Sequence, residues 1–213
     1  MMQAVTLEVF FDFICPWCLI GQRHLDQALA RLRREQPQRQ VRVHWRGVQL
    51  LPGLPAEGVP FEAFYRERLG SDEVVRQRQA QVRDAASAVG EHIDFTRIRR
   101  MPNTANAHRL LQRVQALGNR QQADALLMRL FAAYFHEGQD LGDRATLLAI
   151  AQGCGLMPAQ VTDCLREDAW PFVGEQGRAA GGVPCFVVDR RRVVSGAQPA
   201  DVLFEALCEA QPA

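Results

Sequence analysis

Residues 10–21 read Phe-Phe-Asp-Phe-Ile-Cys-Pro-Trp-Cys-Leu-Ile-Gly, and they place two cysteines, Cys15 and Cys18, on either side of Pro16 and Trp17. Upstream, apolar side chains alternate with more polar ones as in a β-strand, at Val5, Leu7, Val9, Phe11 and Phe13. Downstream, the apolar stripe has the period of a helix, at Ile20, Gly21, His24, Leu25, Ala28, Leu29 and Leu32. The sequence therefore predicts that the cysteine pair lies where a strand runs into a helix.

This position gives the two cysteines different chemistry. Pro16 fits the first helical turn, because its missing N–H has no helical partner there and its φ is already suitable. Cys15 then faces unpaired backbone N–H groups at the positive end of the helix dipole, which favours the thiolate. Cys18, one turn later, is close enough to resolve a mixed disulfide on Cys15. A chance pair is common in a chain with six cysteines, so the placement, more than the spacing, predicts a redox dithiol.

The composition is that of an ordinary globular protein. The 213 residues, 47% of them apolar and 23% charged, can form a proper core in one large domain or a domain with an insertion. The net charge of +1 gives no basis for binding nucleic acid or a membrane surface, and no segment has the length of a membrane span. The N-terminal residues lack the features of a secretory signal, so we expect a cytoplasmic protein with mostly reduced cysteines.

The rest of the chain predicts a helical segment between two β-rich parts. Val41, Val43 and Trp45 alternate as a second strand, and the Pro-Gly-Leu-Pro run at residues 52–55 predicts a boundary. From about residue 60 to 165 helical spacing dominates, with stripes at Leu110, Leu111, Val114 and Leu117 and at Leu126, Leu127, Leu130, Phe131, Tyr134 and Phe135. Residues 185–195 then predict a β-hairpin, and Pro199 opens a final amphipathic helix.

Several segments between residues 11 and 199 carry a family signature. They are residues 11–18 with Ile20-Gly21, Asn103-Thr104, Ala107-His108-Arg109-Leu110, Ala133-Tyr134-Phe135 with Gly138, and Gly182-Val183-Pro184 followed by residues 195–199. These segments resemble the DsbA-like thioredoxin superfamily and, within it, the FrnE-type branch. The resemblance implies an α/β thioredoxin fold with an inserted all-helical domain. We expect the discontinuous thioredoxin-like domain to span residues 1–55 and 166–213, the insertion to span residues 56–165, and the dithiol to lie at their junction.

The resemblance also implies an element that holds the substrate. The Val183–Pro184 peptide bond is expected to be cis and to lie opposite Cys15, where it offers a substrate chain a backbone edge beside the sulfur. Family members usually have an aromatic or aliphatic residue after this proline, whereas this chain has Cys185. Residues 185–188 contain no polar position, so we expect a strand buried on both faces, with Cys185 as an inert packing residue.

Three functions are compatible with these features. The presence of both cysteines favours thiol–disulfide exchange with protein or small-molecule thiols, in which Cys15 attacks, Cys18 resolves and Pro184 positions the substrate. The related 2-hydroxychromene-2-carboxylate isomerases and kappa-class glutathione transferases usually carry Ser at the first cysteine and activate bound glutathione, so a glutathione-dependent enzyme acting on an aromatic small molecule is the alternative. A holdase chaperone is the third. We expect no tightly bound cofactor, with glutathione as the candidate co-substrate, and the sequence indicates no oligomeric state.

Four further residues are candidates for supporting the site. Pro16 and Trp17 lie between the sulfurs and help to set the reduction potential. Asp12, three residues before Cys15, is a candidate proton relay, and the alternative is a strand-end carboxylate in solvent. His108, in one of the segments of the family signature, is a candidate for the cleft between the two domains.

The remaining cysteines suggest no metal centre. Zinc would need two ligands besides Cys15 and Cys18, and the sequence has no second close cysteine pair. Cys154 and Cys164 are expected to pack as small apolar residues, with a disulfide between them as the alternative. The sequence assigns no role to Cys208.

Overall fold

The computed structural model describes residues 4–166, 171–175 and 181–210. The ends of the expected thioredoxin-like domain, residues 1–3 and 211–213, lie outside the described residues, as do residues 167–170 and 176–180. In chain order the strands and helices are β1 (Val5–Phe11), α1 (Pro16–Glu35), β2 (Val41–Gly47), β3 (Val59–Pro60), α2 (Phe61–Leu69), α3 (Asp72–Ser87), β4 (Arg100–Met101), α4 (Ala105–Ala116), α5 (Arg120–Phe135), α6 (Arg144–Gly153), α7 (Pro158–Val161), β5 (Cys185–Val188), β6 (Arg192–Ser195) and α8 (Ala200–Glu209).

The chain divides into two compact units, one formed by Met1–Val48 with Gly174–Ala213 and the other by Gln49–Val173. Hydrogen bonds agree with the boundary between Val48 and Gln49. The Val48 N–H donates to the Phe11 carbonyl at the end of β1, at 2.8 Å, whereas the Gln49 side chain donates to Asn103 in the second unit, at 2.6 Å. The boundaries expected at residues 55 and 165 were based on the Pro-Gly-Leu-Pro break and on the end of helical spacing, and they differ from this division by several residues.

The first unit is built on a four-stranded sheet in the order β2-β1-β5-β6. β1 pairs with β2 in parallel and with β5 antiparallel, and β5 and β6 form the expected hairpin. The turn between them has positive φ at Asp189 and Arg190, which matches the right-handed twist of a tight hairpin. This sheet and its helices have the architecture of a thioredoxin fold.

One face of this sheet is covered by α1 and α8. Three of the alternating apolar residues that the sequence predicted, Val5, Leu7 and Val9, pack with the apolar stripes of both helices. The buried cluster comprises Val5, Leu7, Val9, Leu25, Ala28, Leu32, Phe186, Val188, Val194, Leu203, Phe204, Ala206 and Leu207. Burial of this many aliphatic and aromatic side chains is the main stabilising contribution, at about 1.5–3 kcal/mol for each large one. The packing fixes α1, and therefore the residues at its N-terminus, against the sheet.

The second unit is mainly helical. Side chains of Ser71, Asn119 and Asp143 accept hydrogen bonds from backbone N–H groups in the first turns of α3, α5 and α6, which satisfies donors that the helices leave free. The predicted stripes form its interior except for Leu117, which follows α4 and is exposed, and α4, α5 and α6 contact one another. Among the described residues no helix is both long and apolar enough to cross a bilayer.

The expectation that the insertion is all-helical needs one correction. β3 and β4 form a two-stranded antiparallel ladder with Val59 opposite Met101 and Pro60 opposite Arg100. The Arg100 guanidinium extends this link by donating to the Glu57 carbonyl. A two-residue strand is too short to establish an alternating pattern, so periodicity could not predict this pairing.

Candidate active site

The two cysteines of the dithiol lie at the start of α1, as the sequence predicts. Cys15 is the N-cap residue, in extended conformation at φ −89° and ψ 107°, and its side chain does not cap the helix. Its carbonyl accepts a hydrogen bond from the Cys18 N–H at 2.9 Å, and its own N–H donates to the Asp12 carbonyl at 3.2 Å. This backbone geometry leaves the Cys15 sulfur free of the helix's own hydrogen bonding, next to the positive end of the dipole.

Both thiols are free and buried, but their surroundings differ. The exposed fraction is 6% for Cys15 and 2% for Cys18, so Cys15 is the more accessible thiol, as expected, by a small margin. Burial raises the pKa of the Cys18 thiol well above its ordinary value of 9.0, and a hydrogen bond with Cys15 raises it further. Cys18 is therefore a protonated thiol at neutral pH and must lose its proton before it can attack a disulfide.

Asp12 is buried and interacts with Cys18. Its exposed fraction is 0%, so the alternative of a solvent-exposed carboxylate at the strand end is wrong. Its negative charge contributes to the raised pKa of Cys18, while a backbone hydrogen bond from Asp12 has the opposite, lowering effect. Asp12 directly follows the last residue of β1, and the folded unit buries it within the range of the Cys18 thiol.

Aromatic side chains support the segment that holds the cysteines. The Phe11 ring packs edge-on against Phe13 and against Trp45 of β2, with centroid distances of 5.0 and 5.4 Å. Such edge-to-face pairs contribute about 0.5–1.5 kcal/mol each beyond the buried area. Pro16 and Trp17, between the sulfurs, are only half-buried. The loop from β1 to α1 is therefore rigid on its inner side and accessible at the two residues between the cysteines.

The loop before β5 lies against the first cysteine. The Val183–Pro184 peptide bond is cis, and the Cys15 thiol donates to the Val183 carbonyl oxygen at 3.7 Å. The Gly196 N–H donates to the Pro184 carbonyl at 2.8 Å, a contact that the sequence did not predict. The first unit thus brings together Cys15, Cys18, Asp12, Val183 and Pro184, and a backbone carbonyl borders the Cys15 sulfur.

Comparison with known proteins identifies the family. The family model of the DSBA-like thioredoxin domain matches residues 6–208. The chain belongs to the DSBA-like thioredoxin family. A probable DsbA oxidoreductase from Streptomyces coelicolor has a similar solved structure, with 30% sequence identity, a TM-score of 0.80, and coverage of 98% of this chain and 92% of that one.

Two solved structures of lower sequence identity share the fold. The cytosolic disulfide reductase DsbM from Pseudomonas aeruginosa, solved with GSH, is 20% identical with a TM-score of 0.61 over 96% of this chain and 100% of that chain. A 2-hydroxychromene-2-carboxylate isomerase is 15% identical with a TM-score of 0.59 over 95% of this chain and 94% of that chain. At these identities the likeness establishes the common fold, which includes both units.

His108 belongs to the second unit of this DSBA-like protein. It lies on α4, is 1% exposed, and its ring is stacked on Phe172 with a centroid distance of 4.8 Å and an interplanar angle of 15°. Its expected contribution to the dithiol site stays a prediction, because these contacts are all within its own unit.

Cys185, the departure from the usual family pattern, is a packing residue in this structure. It is 2% exposed, lies opposite Phe10 of β1 in the sheet, and packs in a small apolar cluster with Phe10 and Val48. Burial raises the pKa of its thiol, and a hydrogen bond with Ser195 partly offsets that effect. The expectations that Cys185 is buried and that its pKa is raised are confirmed.

We predict that Cys185→Ala leaves disulfide exchange unchanged and lowers the free energy of unfolding by roughly 1 kcal/mol, because only one small buried group is removed. Turnover and denaturant unfolding of the variant, side by side with the unchanged protein, test this. Peptide mapping of the oxidised protein is the complementary test: a disulfide between Cys185 and Cys15 would contradict the packing role.

The other cysteines form no disulfide, since all six are free thiols. The Cys164 thiol donates to the Val161 carbonyl at 3.0 Å, and burial raises the pKa of both Cys154 and Cys164. Cys208 accepts a hydrogen bond from Gln36 at 3.2 Å. Local packing therefore accounts for these three residues, in agreement with the interpretation of Cys154 and Cys164 as small packing residues.

Proposed function

We propose that the Cys15–Cys18 dithiol exchanges disulfides with protein or small-molecule thiols. As a member of the DSBA-like family the protein is a thiol–disulfide oxidoreductase in general. What we propose is which residues react, which substrate they act on and which reductant regenerates them. The observation that carries it is the pairing of an N-cap cysteine, Cys15, with a second buried thiol one turn later. A single nucleophile that only activates glutathione would not need the second thiol.

The first step is attack by the Cys15 thiolate on a substrate disulfide. A bond forms between the Cys15 sulfur and one substrate sulfur, and the other substrate sulfur leaves as a thiolate that takes up a proton from solvent. The Val183 carbonyl, 3.7 Å from the Cys15 sulfur, offers a hydrogen-bond acceptor to the backbone of an extended substrate. Pro184 has no N–H to compete for that edge.

The second step resolves the mixed disulfide. The Cys18 thiol loses its proton to the Asp12 carboxylate and attacks the Cys15 sulfur, so that the Cys15–Cys18 disulfide forms and the second substrate thiolate leaves. The substrate disulfide has then gained two electrons and the protein dithiol has lost two. Asp12 is suited to this role because it is buried and interacts with the Cys18 thiol.

Glutathione is the proposed reductant. One glutathione thiolate attacks the Cys15 sulfur and displaces the Cys18 thiolate, which takes up a proton. A second glutathione thiolate then attacks the sulfur of the bound glutathione, so that glutathione disulfide forms and the Cys15 thiolate is released. The similar fold of a cytosolic reductase solved with GSH supports this choice, and with it a cytoplasmic location. A glutathione-dependent isomerase acting on an aromatic small molecule is the alternative, supported by the likeness to 2-hydroxychromene-2-carboxylate isomerase.

Insulin reduction with glutathione separates these functions. We expect the protein to accelerate precipitation of the insulin chains, Cys15→Ser to be at background, and Cys154→Ala, a cysteine change in the second unit, to match the unchanged protein. Absence of acceleration, together with turnover of an aromatic substrate by the glutathione-loaded protein, would favour the isomerase. Protection of clients by the double variant C15S/C18S would favour the chaperone.

A further inference from the structure

We propose that Gly21 is a positioning residue for this exchange reaction: its lack of a side chain lets Pro184 lie directly against α1 and sets the substrate edge beside Cys15. This inference rests on the proposed function. Gly21 is buried on α1, six positions after Cys15, and glycine in a helix interior is less favourable than alanine. A glycine at such a position therefore points to a close approach by another element.

The neighbours of Gly21 leave little room for a methyl group. A Cβ at this position would lie 3.0 Å from Pro184 Cγ, 3.2 Å from Phe186 Cζ and 3.5 Å from Ala197 Cα. The first two separations are shorter than ordinary van der Waals contact, so these groups would have to move by a few tenths of an ångström. The nearest atom belongs to the residue that follows the Val183 carbonyl in the substrate edge.

The surroundings of Pro184 restrict how it can move. Its carbonyl accepts the Gly196 N–H at 2.8 Å, and the Val183 carbonyl on its other side accepts the Cys15 thiol at 3.7 Å. Phe186 is 0% exposed and belongs to the buried cluster between the sheet and its helices, so it can move only by displacing other core side chains. A methyl group at Gly21 therefore displaces Pro184 and Val183 relative to Cys15, and leaves Cys15 itself at the start of the helix.

The chain contains a matched control. Gly153 is also helical, as the last residue of α6 in the second unit, and a Cβ there would meet no atom within 4 Å. Gly21→Ala and Gly153→Ala therefore add the same methyl group, which has close neighbours at position 21 and none at position 153. Only the first is expected to alter the exchange reaction.

The test compares the kinetics of these two variants with insulin and glutathione. We expect Gly21→Ala to lower kcat/KM about tenfold, mostly through a higher KM, since sub-ångström misplacement at a reacting centre has effects of this order. The rate at which iodoacetamide alkylates Cys15 should change less than about twofold, because this small reagent uses no substrate edge. Gly153→Ala should match the unchanged protein in both measurements.

A double variant identifies the residue through which Gly21 acts. In a Pro184→Ala background, which lacks Cγ, adding Gly21→Ala should cause no further loss of kcat/KM. If Gly21→Ala alone does not fold, the double variant should regain the fold. An additive loss in the double variant, or its failure to fold where Pro184→Ala folds, overturns the assignment to Pro184.

The remaining outcomes separate this inference from the proposed function. If the unchanged protein reduces insulin and Gly21→Ala is as active as Gly153→Ala, the inference about Gly21 is wrong and the proposed function stands. Equal losses in kcat/KM and in Cys15 alkylation would indicate a damaged helix start and would also contradict it. An unchanged protein without exchange activity contradicts the proposed function, and the inference with it.

Discussion

Replacing Cys18 with Ser is expected to lower steady-state disulfide turnover by roughly a thousandfold or more and to trap substrates on Cys15 as mixed disulfides. The variant keeps the attacking sulfur at the N-cap of α1 but removes the buried thiol that releases the substrate. Each molecule can therefore complete the first step, while release depends on thiols from solution. Mass spectrometry under non-reducing conditions should detect the substrate attached to the peptide that contains Cys15.

The control for this trapping experiment is Cys15→Ser, which should neither turn over nor trap. Cys18→Ala should trap as Cys18→Ser does, which excludes an effect of the new hydroxyl group. Covalent adducts on Cys185 or Cys164, or equal turnover by Cys18→Ser and the unchanged protein, would contradict the division of labour between the two thiols.

Replacing Asp12 with Asn is expected to slow the resolving step about a hundredfold at pH 7, the low end of the usual contribution of general acid–base catalysis. The pKa of the Cys18 thiol lies well above its ordinary value of 9.0, so at pH 7 nearly all of it is protonated. Under the proposed mechanism the buried Asp12 carboxylate of the unchanged protein accepts that proton. In the variant only solvent hydroxide or buffer can do so, and the rate should rise about tenfold per pH unit.

The way in which the rate of the resolving step changes with pH distinguishes proton transfer to Asp12 from a purely electrostatic effect of the Asp12 charge on the pKa of Cys18. The Asp12 charge contributes to the raised pKa of Cys18, so its removal lowers that pKa and favours the Cys18 thiolate. Above about pH 9 the resolving step should therefore be as fast in the variant as in the unchanged protein, or faster, whereas at neutral pH it should be slower in the variant. Rapid-mixing measurements of disulfide formation between pH 6 and 10 test this crossover.

Asp26→Asn is the control for the pH experiment, because it makes the same chemical change at another carboxyl of the same unit, one that is exposed on α1. Desolvation raises the pKa of the Asp26 carboxyl, which lies on α1 beyond the dithiol and accepts a hydrogen bond from Gln22. Its variant should keep the pH profile of the unchanged protein. An Asp12→Asn variant that is faster at every pH would exclude proton transfer to Asp12.

The start of α1 could be predicted from sequence because two periodicities meet there. The alternation up to Phe13 and the helical spacing after Trp17 leave only a few residues for the junction, and Pro16 specifies the first turn. The hairpin from Cys185 to Ser195 was predictable for a similar reason, since apolar runs flank a charged turn. These features depend on the conformational preferences and the hydrophobic spacing of residues that are close together in the sequence.

The features that could not be predicted depend on contacts between distant segments. Asp12 looks like a strand-end carboxylate in sequence, and only the folded unit determines that it is fully buried near Cys18. The contact of Gly21 with Pro184 joins residues far apart in the chain, although an isolated glycine within an apolar helical stripe was a local signal of close approach. The Gly196 bond to Pro184 had no such signal.

The most direct test of the central claim is a redox titration of the native protein in glutathione buffers, with acid quenching, alkylation and peptide mapping. The account predicts that the peptide spanning Cys15 and Cys18 loses two hydrogens on oxidation and follows a two-electron curve, with a tenfold change in the oxidised-to-reduced ratio for each ~30 mV. The other four cysteines should remain alkylatable after unfolding at every potential. Stable glutathione attached to Cys15 with no Cys15–Cys18 disulfide at any potential would contradict the account.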